Sequence, residues 1–255
     1  MTVTTKKTAK DRLIVALDVS SLDEARSLIE QLRDDVGLFK VGLELITAAG
    51  LELFELMRKE RVNLFYDIKL HDIPNTVDRS VRNITRHGVT MFNLHASGGS
   101  AMMKAAATAC AQTYEEMKKQ SGSGSNVPSE KPLLIAVTVL TSISEDVLKN
   151  EIGVQSSPLD HVTNLAKLAK ESGLDGVVAS AREAASIRAA CGANFKIVTP
   201  GIRPSWAEAN DQSRIITPAD AIANGADYLV VGRPITSAKD RRDAARRVVE
   251  EMESA

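Results

Sequence analysis

The stretch NLFYDIKLHD, residues 63–72, carries an apolar run, Leu64, Phe65 and Tyr66, into a cluster of charge formed by Asp67, Lys69 and Asp72. A strand covered on both faces by helices is apolar continuously, not at every second position. Seven more runs of this kind occur: LIVALD (13–18), LFKVG (38–42), MFNLHA (91–96), LLIAVTVL (133–140), GVVAS (176–180), KIVTPG (196–201) and YLVVG (228–232). The eight starts average about 31 residues apart, near the size of one strand-plus-helix unit. Eight such units in 255 residues predict an α/β protein built as a single (β/α)8 TIM barrel. A doubly wound open sheet is the other arrangement, but no strand is followed by G-x-G-x-x-G or G-x-x-x-x-G-K-[ST].

The segments between the runs have a period of 3.6. Ala25, Leu28, Ile29 and Leu32 form one apolar stripe behind a Ser21/Glu24 capping box. Val162, Leu165, Ala166 and Ala169 form another, ended by Gly173. A third leads from a Ser180/Glu183 capping box through Ala184 and Ile187 to Cys191 and Gly192. Cys110 shares a stripe with Met103 and Ala107, so both thiols read as core residues. Residues 1–11 read as a flexible arm and residues 12–255 as the barrel domain. Within it, QSGSGSNVPSEK (120–131) reads as a flexible Gly/Ser loop between the fourth helix and the fifth strand.

Composition narrows the function classes. The 32 basic residues nearly cancel the 33 acidic ones, leaving a formal net charge of −1 and no global footprint for nucleic acid. No apolar run reaches the roughly 18 residues of a membrane span, and the start, MTVTTKKTAK, lacks the apolar centre of a signal peptide. The two cysteines lack a second cysteine or histidine at metal-ligand spacing, which argues against a disulfide scaffold or a zinc site. A soluble protein of the reducing cytoplasm is expected.

Active sites of such barrels lie at the C-terminal ends of the strands. Asp18 closes the first run, Lys40 sits near the end of the second, and Asp67, Lys69 and Asp72 fall across the end of the third. One charge at a strand end reads as solvated surface; five on three consecutive strands do not. On a regular strand Asp67 and Lys69, two apart, project to the same side, and opposite charges that close hold each other ionised. A structural ion pair explains those two alone, but not why Lys40 should join them from the neighbouring strand. The loops after the seventh and eighth runs, TPGIRP (199–204) and VGRP (231–234), occupy the places where barrels often bind phosphate. Their glycines allow close approach to an anion, and Arg203 and Arg233 offer forked donors, which together indicate a phosphate monoester.

These motifs resemble the orotidine 5′-monophosphate decarboxylases in their bacterial form, from about residue 12 to about residue 236. The resemblance is carried by LIVALD, FKVG, YDIKLHDIPNTV, NLHASGG, AVTVLTS, VTPGIRP and DYLVVGRP, in that order, with D-x-K-x-x-D as the hallmark. It implies conversion of orotidine 5′-monophosphate to UMP and CO2 with no metal and no organic cofactor, in the last step of pyrimidine nucleotide synthesis. It further implies that Lys69 protonates C6, that Asp67 faces the departing carboxylate, that Lys40 orients the network and the ribose, and that Asp18 binds a ribose hydroxyl. Asp72 and Thr76 would enter the neighbouring subunit's site in a homodimer. Thr141 would contact the pyrimidine, and Arg203, Gln212, Gly232 and Arg233 would serve the phosphate and the closing of the base pocket. His71 and His95 are expected in supporting hydrogen-bond roles, and Trp206, Met102 and Met103 in packing.

Two rivals are weaker. A sugar-phosphate decarboxylase such as 3-keto-L-gulonate 6-phosphate decarboxylase shares D-x-K-x-x-D but uses magnesium and has Glu where this chain has Lys40, and an ammonium there repels a divalent cation. A non-catalytic nucleotide-binding barrel does not need the mutually interacting set of Lys40, Asp67, Lys69 and Asp72.

Overall fold

The computed structural model describes residues 7–120, 127–207 and 216–255. Its strands are β1 (Leu13–Ala16), β2 (Leu38–Val41), β3 (Leu64–Leu70), β4 (Met91–His95), β5 (Leu133–Val137), β6 (Gly176–Val178), β7 (Lys196–Thr199) and β8 (Tyr228–Val231). They follow one another in chain order around a closed barrel. Neighbours pair in parallel: Ile14 of β1 lies opposite Leu38 and Val230, and Met91 of β4 lies opposite Leu133. This is the (β/α)8 architecture the apolar runs imply. All four positions of β1 and of β8 are buried, as strands covered on both faces require.

The chain divides into two compact units, the described residues of 1–64 with 199–255 and those of 65–198. In the first, helix Leu22–Leu32 buries Ala25, Leu28, Ile29 and Leu32. Ser21 accepts from the Glu24 N–H at 3.3 Å, but the return bond comes from the Ser20 N–H, so the expected capping box is displaced by one residue. Two helices, Leu43–Ala49 and Glu52–Glu60, connect β2 to β3 where the spacing suggests one. Of the expected N-terminal arm, residues 1–6 lie outside the described residues, and Lys7 donates from Nζ to the Tyr228 hydroxyl at 2.6 Å. Residues Ala9–Arg12 form a helical turn closed by a reciprocal Thr8/Asp11 cap, and the Arg12 guanidinium donates to the carbonyls of Ala226 and Asp227 at 2.8 Å each. Arg12, the first residue of the expected barrel domain, thus satisfies two carbonyls just ahead of β8. Burial alone would raise the Asp35 carboxyl, but Arg246 and Arg242, at 2.8 and 2.7 Å, hold it below the usual range and tie helix Arg241–Glu253 to this unit.

In the second unit, helix Pro158–Glu171 buries Val162, Leu165, Ala166 and Ala169, and Gly173 follows with φ 87°. The Ser180/Glu183 box forms only in part. The Ser180 N–H donates to Glu183 at 2.9 Å, while the Ser180 hydroxyl accepts from Arg182 and the helix, Ala184–Cys191, begins after Glu183. Cys110 and Cys191 are buried and unoxidised, and burial pushes both thiols up, which fits core residues and not nucleophiles. Of the Gly/Ser loop, residues 121–126 lie outside the described residues. The rest of it is tied down by Tyr114, which donates to the Pro128 carbonyl, and by an ion pair of 2.7 Å between Lys131 and Asp175. Among the described residues no helix is long and apolar enough to cross a membrane.

Candidate active site

The described candidates lie towards or beyond the C-terminal ends of their strands, Asp67 furthest in, at the fourth of the seven residues of β3. In the first unit, Lys40 near the end of β2 donates from Nζ to Oδ1 of Asp18, just past β1, at 3.1 Å. The Lys40 side chain is only 12% exposed and that of Asp18 61% exposed, so the ammonium is sheltered while the carboxylate remains open to accept from a ligand hydroxyl. Gly42, just after β2, leaves the ammonium where it is, since a Cβ there would sit 3.0 Å from Nζ of Lys40 and make it shift by a few tenths of an ångström. Gly232, immediately after β8, faces Asp18, and Arg233 follows it. Ala16, Asp18, Gly232 and Arg233 line a cavity of about 470 Å³ together with Glu24, Glu44 and other side chains of this unit, a size that suits a small ligand. Arg203 is buried, and its N–H donates to the Ile216 carbonyl at 3.1 Å. Gln212 lies outside the described residues.

In the second unit, β3 departs from a regular strand where the charges begin. Tyr66 pairs with Phe92 and Leu70 with Leu94, so four residues advance along β3 while two advance along β4. Lys69 takes φ 53°, a left-handed conformation that costs a non-glycine residue about 1–3 kcal/mol and must be held by its surroundings. The simple alternation expected of Asp67 and Lys69 therefore does not set their geometry; the irregular backbone does. Nζ of Lys69 lies 2.7 Å from Oδ1 of Asp67, and the two side chains are 25% and 12% exposed. Asp72 and Thr76 are both exposed, Asp72 ahead of helix Pro74–Arg86 and Thr76 in its first turn; Asp72 accepts from the Ile73 N–H at 2.7 Å. Thr141 is exposed on the turn after β5.

Asn93, in the middle of β4, escaped the sequence reading. It is fully buried, its Nδ2 donates to Oδ1 of Asp67 at 2.7 Å, and its Oδ1 accepts from the backbone N–H of Lys69 at 2.8 Å. The available signal was a lone amide inside the apolar run MFNLHA, since such a group enters a core only when its polar atoms are satisfied.

His71 and His95 face each other with ring centroids 5.6 Å apart. Gly98 keeps this corner open, because a Cβ there would collide with the Met102 side chain and approach the His71 ring at 3.3 Å. Burial lowers the His95 pKa below its ordinary 6.5, His71 and Lys69 push the same way, and Asp67 opposes them. The fold thus favours neutral His95, and the unfolded chain binds a proton that the folded chain refuses. Stability from this group is complete above about pH 6.5, the ordinary value, and is lost as the pH drops below it. Urea unfolding at about pH 7.5 and about pH 5.5 should show this loss, and His95→Gln should reduce it. An equal loss in that variant would mean that His95 is not the group responsible. Among the described residues, no group of three or more histidine, cysteine, aspartate or glutamate side chains is placed to hold a metal ion.

The sequence profile of the orotidine 5′-phosphate decarboxylase / HUMPS family matches residues 11–248. The chain belongs to that family. Membership in the decarboxylase / HUMPS family spans every strand, since residues 11–248 begin ahead of β1 and end beyond β8. The orotidine 5′-phosphate decarboxylase of Syntrophotalea carbinolica is 50% identical over 247 residues, 97% of each chain. That of Heliobacterium modesticaldum is 48% identical over 244 residues, 96% of each chain. The crystal structure of the orotidine 5′-phosphate decarboxylase of Lactobacillus acidophilus superimposes with a TM-score of 0.80 at 36% identity, covering 94% of this chain and 98% of that one.

Proposed function

We infer that the chain is an orotidine 5′-phosphate decarboxylase, a carboxy-lyase that converts orotidine 5′-monophosphate to UMP and CO2 without a metal or organic cofactor. The observation that carries this reading is the Lys69 ammonium, fixed 2.7 Å from Asp67 on an irregular strand end. Loss of CO2 leaves the electron pair of the broken bond on C6, where ring resonance gives little help. A cation already aimed at that carbon lowers the barrier without reorganising. Lys69 supplies it, then passes a proton from Nζ to C6 and regains one from water. Asp67 lies against the substrate carboxylate and orients Lys69 from the other side.

Lys40 orients the network and the ribose, and Asp18, its carboxylate open to solvent, accepts from a ribose hydroxyl. Thr141 contacts the pyrimidine, and Arg203, Gln212, Gly232 and Arg233 take the phosphate and close the pocket. Phosphate binding is remote from the reacting carbon, and its energy helps assemble the site. An ammonium at residue 40 is hostile to a divalent cation, which supports metal-free chemistry.

Asp72 and Thr76 act in the partner's site of a homodimer. Ile73 between them is 65% exposed, an apolar side chain that a subunit interface would cover. Residues 12–255 act as one barrel domain, and the enzyme works in the cytoplasm on the pathway to pyrimidine nucleotides. Purified protein offered orotidine 5′-monophosphate should form UMP, resolved by chromatography, and should leave 3-keto-L-gulonate 6-phosphate with magnesium unchanged. Turnover of the sugar phosphate, or binding of the nucleotide with no UMP formed, would overturn the reading.

A further inference from the structure

Asn93 joins two features of the β3 end, the left-handed backbone of Lys69 and the carboxylate of Asp67. The amide orientation is unambiguous. Its oxygen must face the Lys69 N–H, which can only donate, and its nitrogen must face the ionised Asp67, which can only accept. Oδ1 of Asp67 therefore receives two donors at 2.7 Å, Nζ of Lys69 and Nδ2 of Asn93. Full burial on β4, with Asn93 paired to Ile135 of β5, fixes the amide from behind.

We propose that Asn93 is a positioning residue for the decarboxylation, one that locks Lys69 and Asp67 into their working geometry through a single amide. This rests on the decarboxylase reading. The chemistry calls for an amide at this place. A cationic side chain would cancel the field of Asp67, and an ionised acid would repel it, whereas an amide holds both neighbours and adds no charge. The Lys69 N–H bond offsets the strain of the left-handed backbone, so the ammonium starts from a fixed root and not from a mobile strand end. Small misplacements of a reacting group are costly, about a hundredfold in rate for about 1 Å.

The test compares Asn93→Ala and Asn93→Asp with the wild-type protein, using orotidine 5′-monophosphate as substrate. For Asn93→Ala, kcat should fall about a hundredfold with KM changed by less than about threefold, and the Lys69 backbone amide should exchange its proton faster in NMR-resolved hydrogen exchange. Asn93→Asp supplies a donor to Asp67 only when the introduced acid is protonated, so its kcat relative to wild type should rise as the pH falls. A role confined to packing would lower the melting temperature of both variants without that pH signature. Wild-type kcat in folded Asn93→Ala overturns the proposal, and if that variant does not fold, an Asn93→Asp to wild-type kcat ratio that does not change with pH overturns it. A folded wild-type protein with no turnover would refute the decarboxylase reading instead. The exchange of the Lys69 amide would then still decide whether Asn93 holds that backbone.

Discussion

Lys69→Ala is expected to lower turnover of orotidine 5′-monophosphate by at least about ten-thousand-fold, about 5 kcal/mol of transition-state stabilisation, in a protein that still folds. Two losses coincide in this one side chain. The cation that faces the developing charge disappears, a loss that alone costs about a hundredfold to a thousandfold where such groups have been removed. The proton donor disappears with it, and water must take its place. Folding should survive because Lys69 sits at the strand end, 25% exposed, and its removal opens no apolar core. Asp67 then loses a partner but keeps the bond from Asn93. Steady-state kinetics together with circular dichroism decides the matter, and a rate within about tenfold of wild type would refute the role of Lys69.

Mixing two nearly inactive proteins, Lys69→Ala and Asp72→Asn, should restore activity. In a homodimer whose sites each take Lys69 from one subunit and Asp72 from the other, a hybrid gathers both lesions into one site and leaves the second intact. Random exchange at equal concentrations makes half the dimers hybrids, so about one site in four becomes whole. Recovery from near zero to about a quarter of wild-type activity is therefore expected. The exposure of Asp72, Ile73 and Thr76 fits this arrangement, since these residues stand clear of their own chain. Mass spectrometry can confirm that subunits have exchanged, and no recovery after confirmed exchange would count against shared sites.

Much of the fold is legible in the sequence because one physical requirement dominates it. A parallel strand buried on both faces must be apolar throughout, and seven of the eight runs begin at the residue where a strand begins, the eighth one residue early. Charges that interrupt such runs at their ends stand out for the same reason, which is how Asp18, Lys40, Asp67 and Lys69 could be singled out. The irregular backbone at Tyr66 to Leu70 could not be read, because a left-handed lysine has no residue signature as glycine would. Asn93 was hidden by its company, a polar residue within a run read for its apolar character. The helical turn at Ala9–Arg12 was also missed. Its four residues are too few to show periodicity, and its anchoring depends on carbonyls more than 200 positions away.

The central claim is that Lys69, held by Asp67, decarboxylates orotidine 5′-monophosphate without a metal. The most direct measurement follows the ultraviolet absorbance of that nucleotide on addition of purified protein, with and without EDTA. The absorbance should change steadily as the carboxylate is lost, at the same rate in both samples. A rate abolished by EDTA and restored by magnesium, or no change at all with folded protein, would contradict the claim.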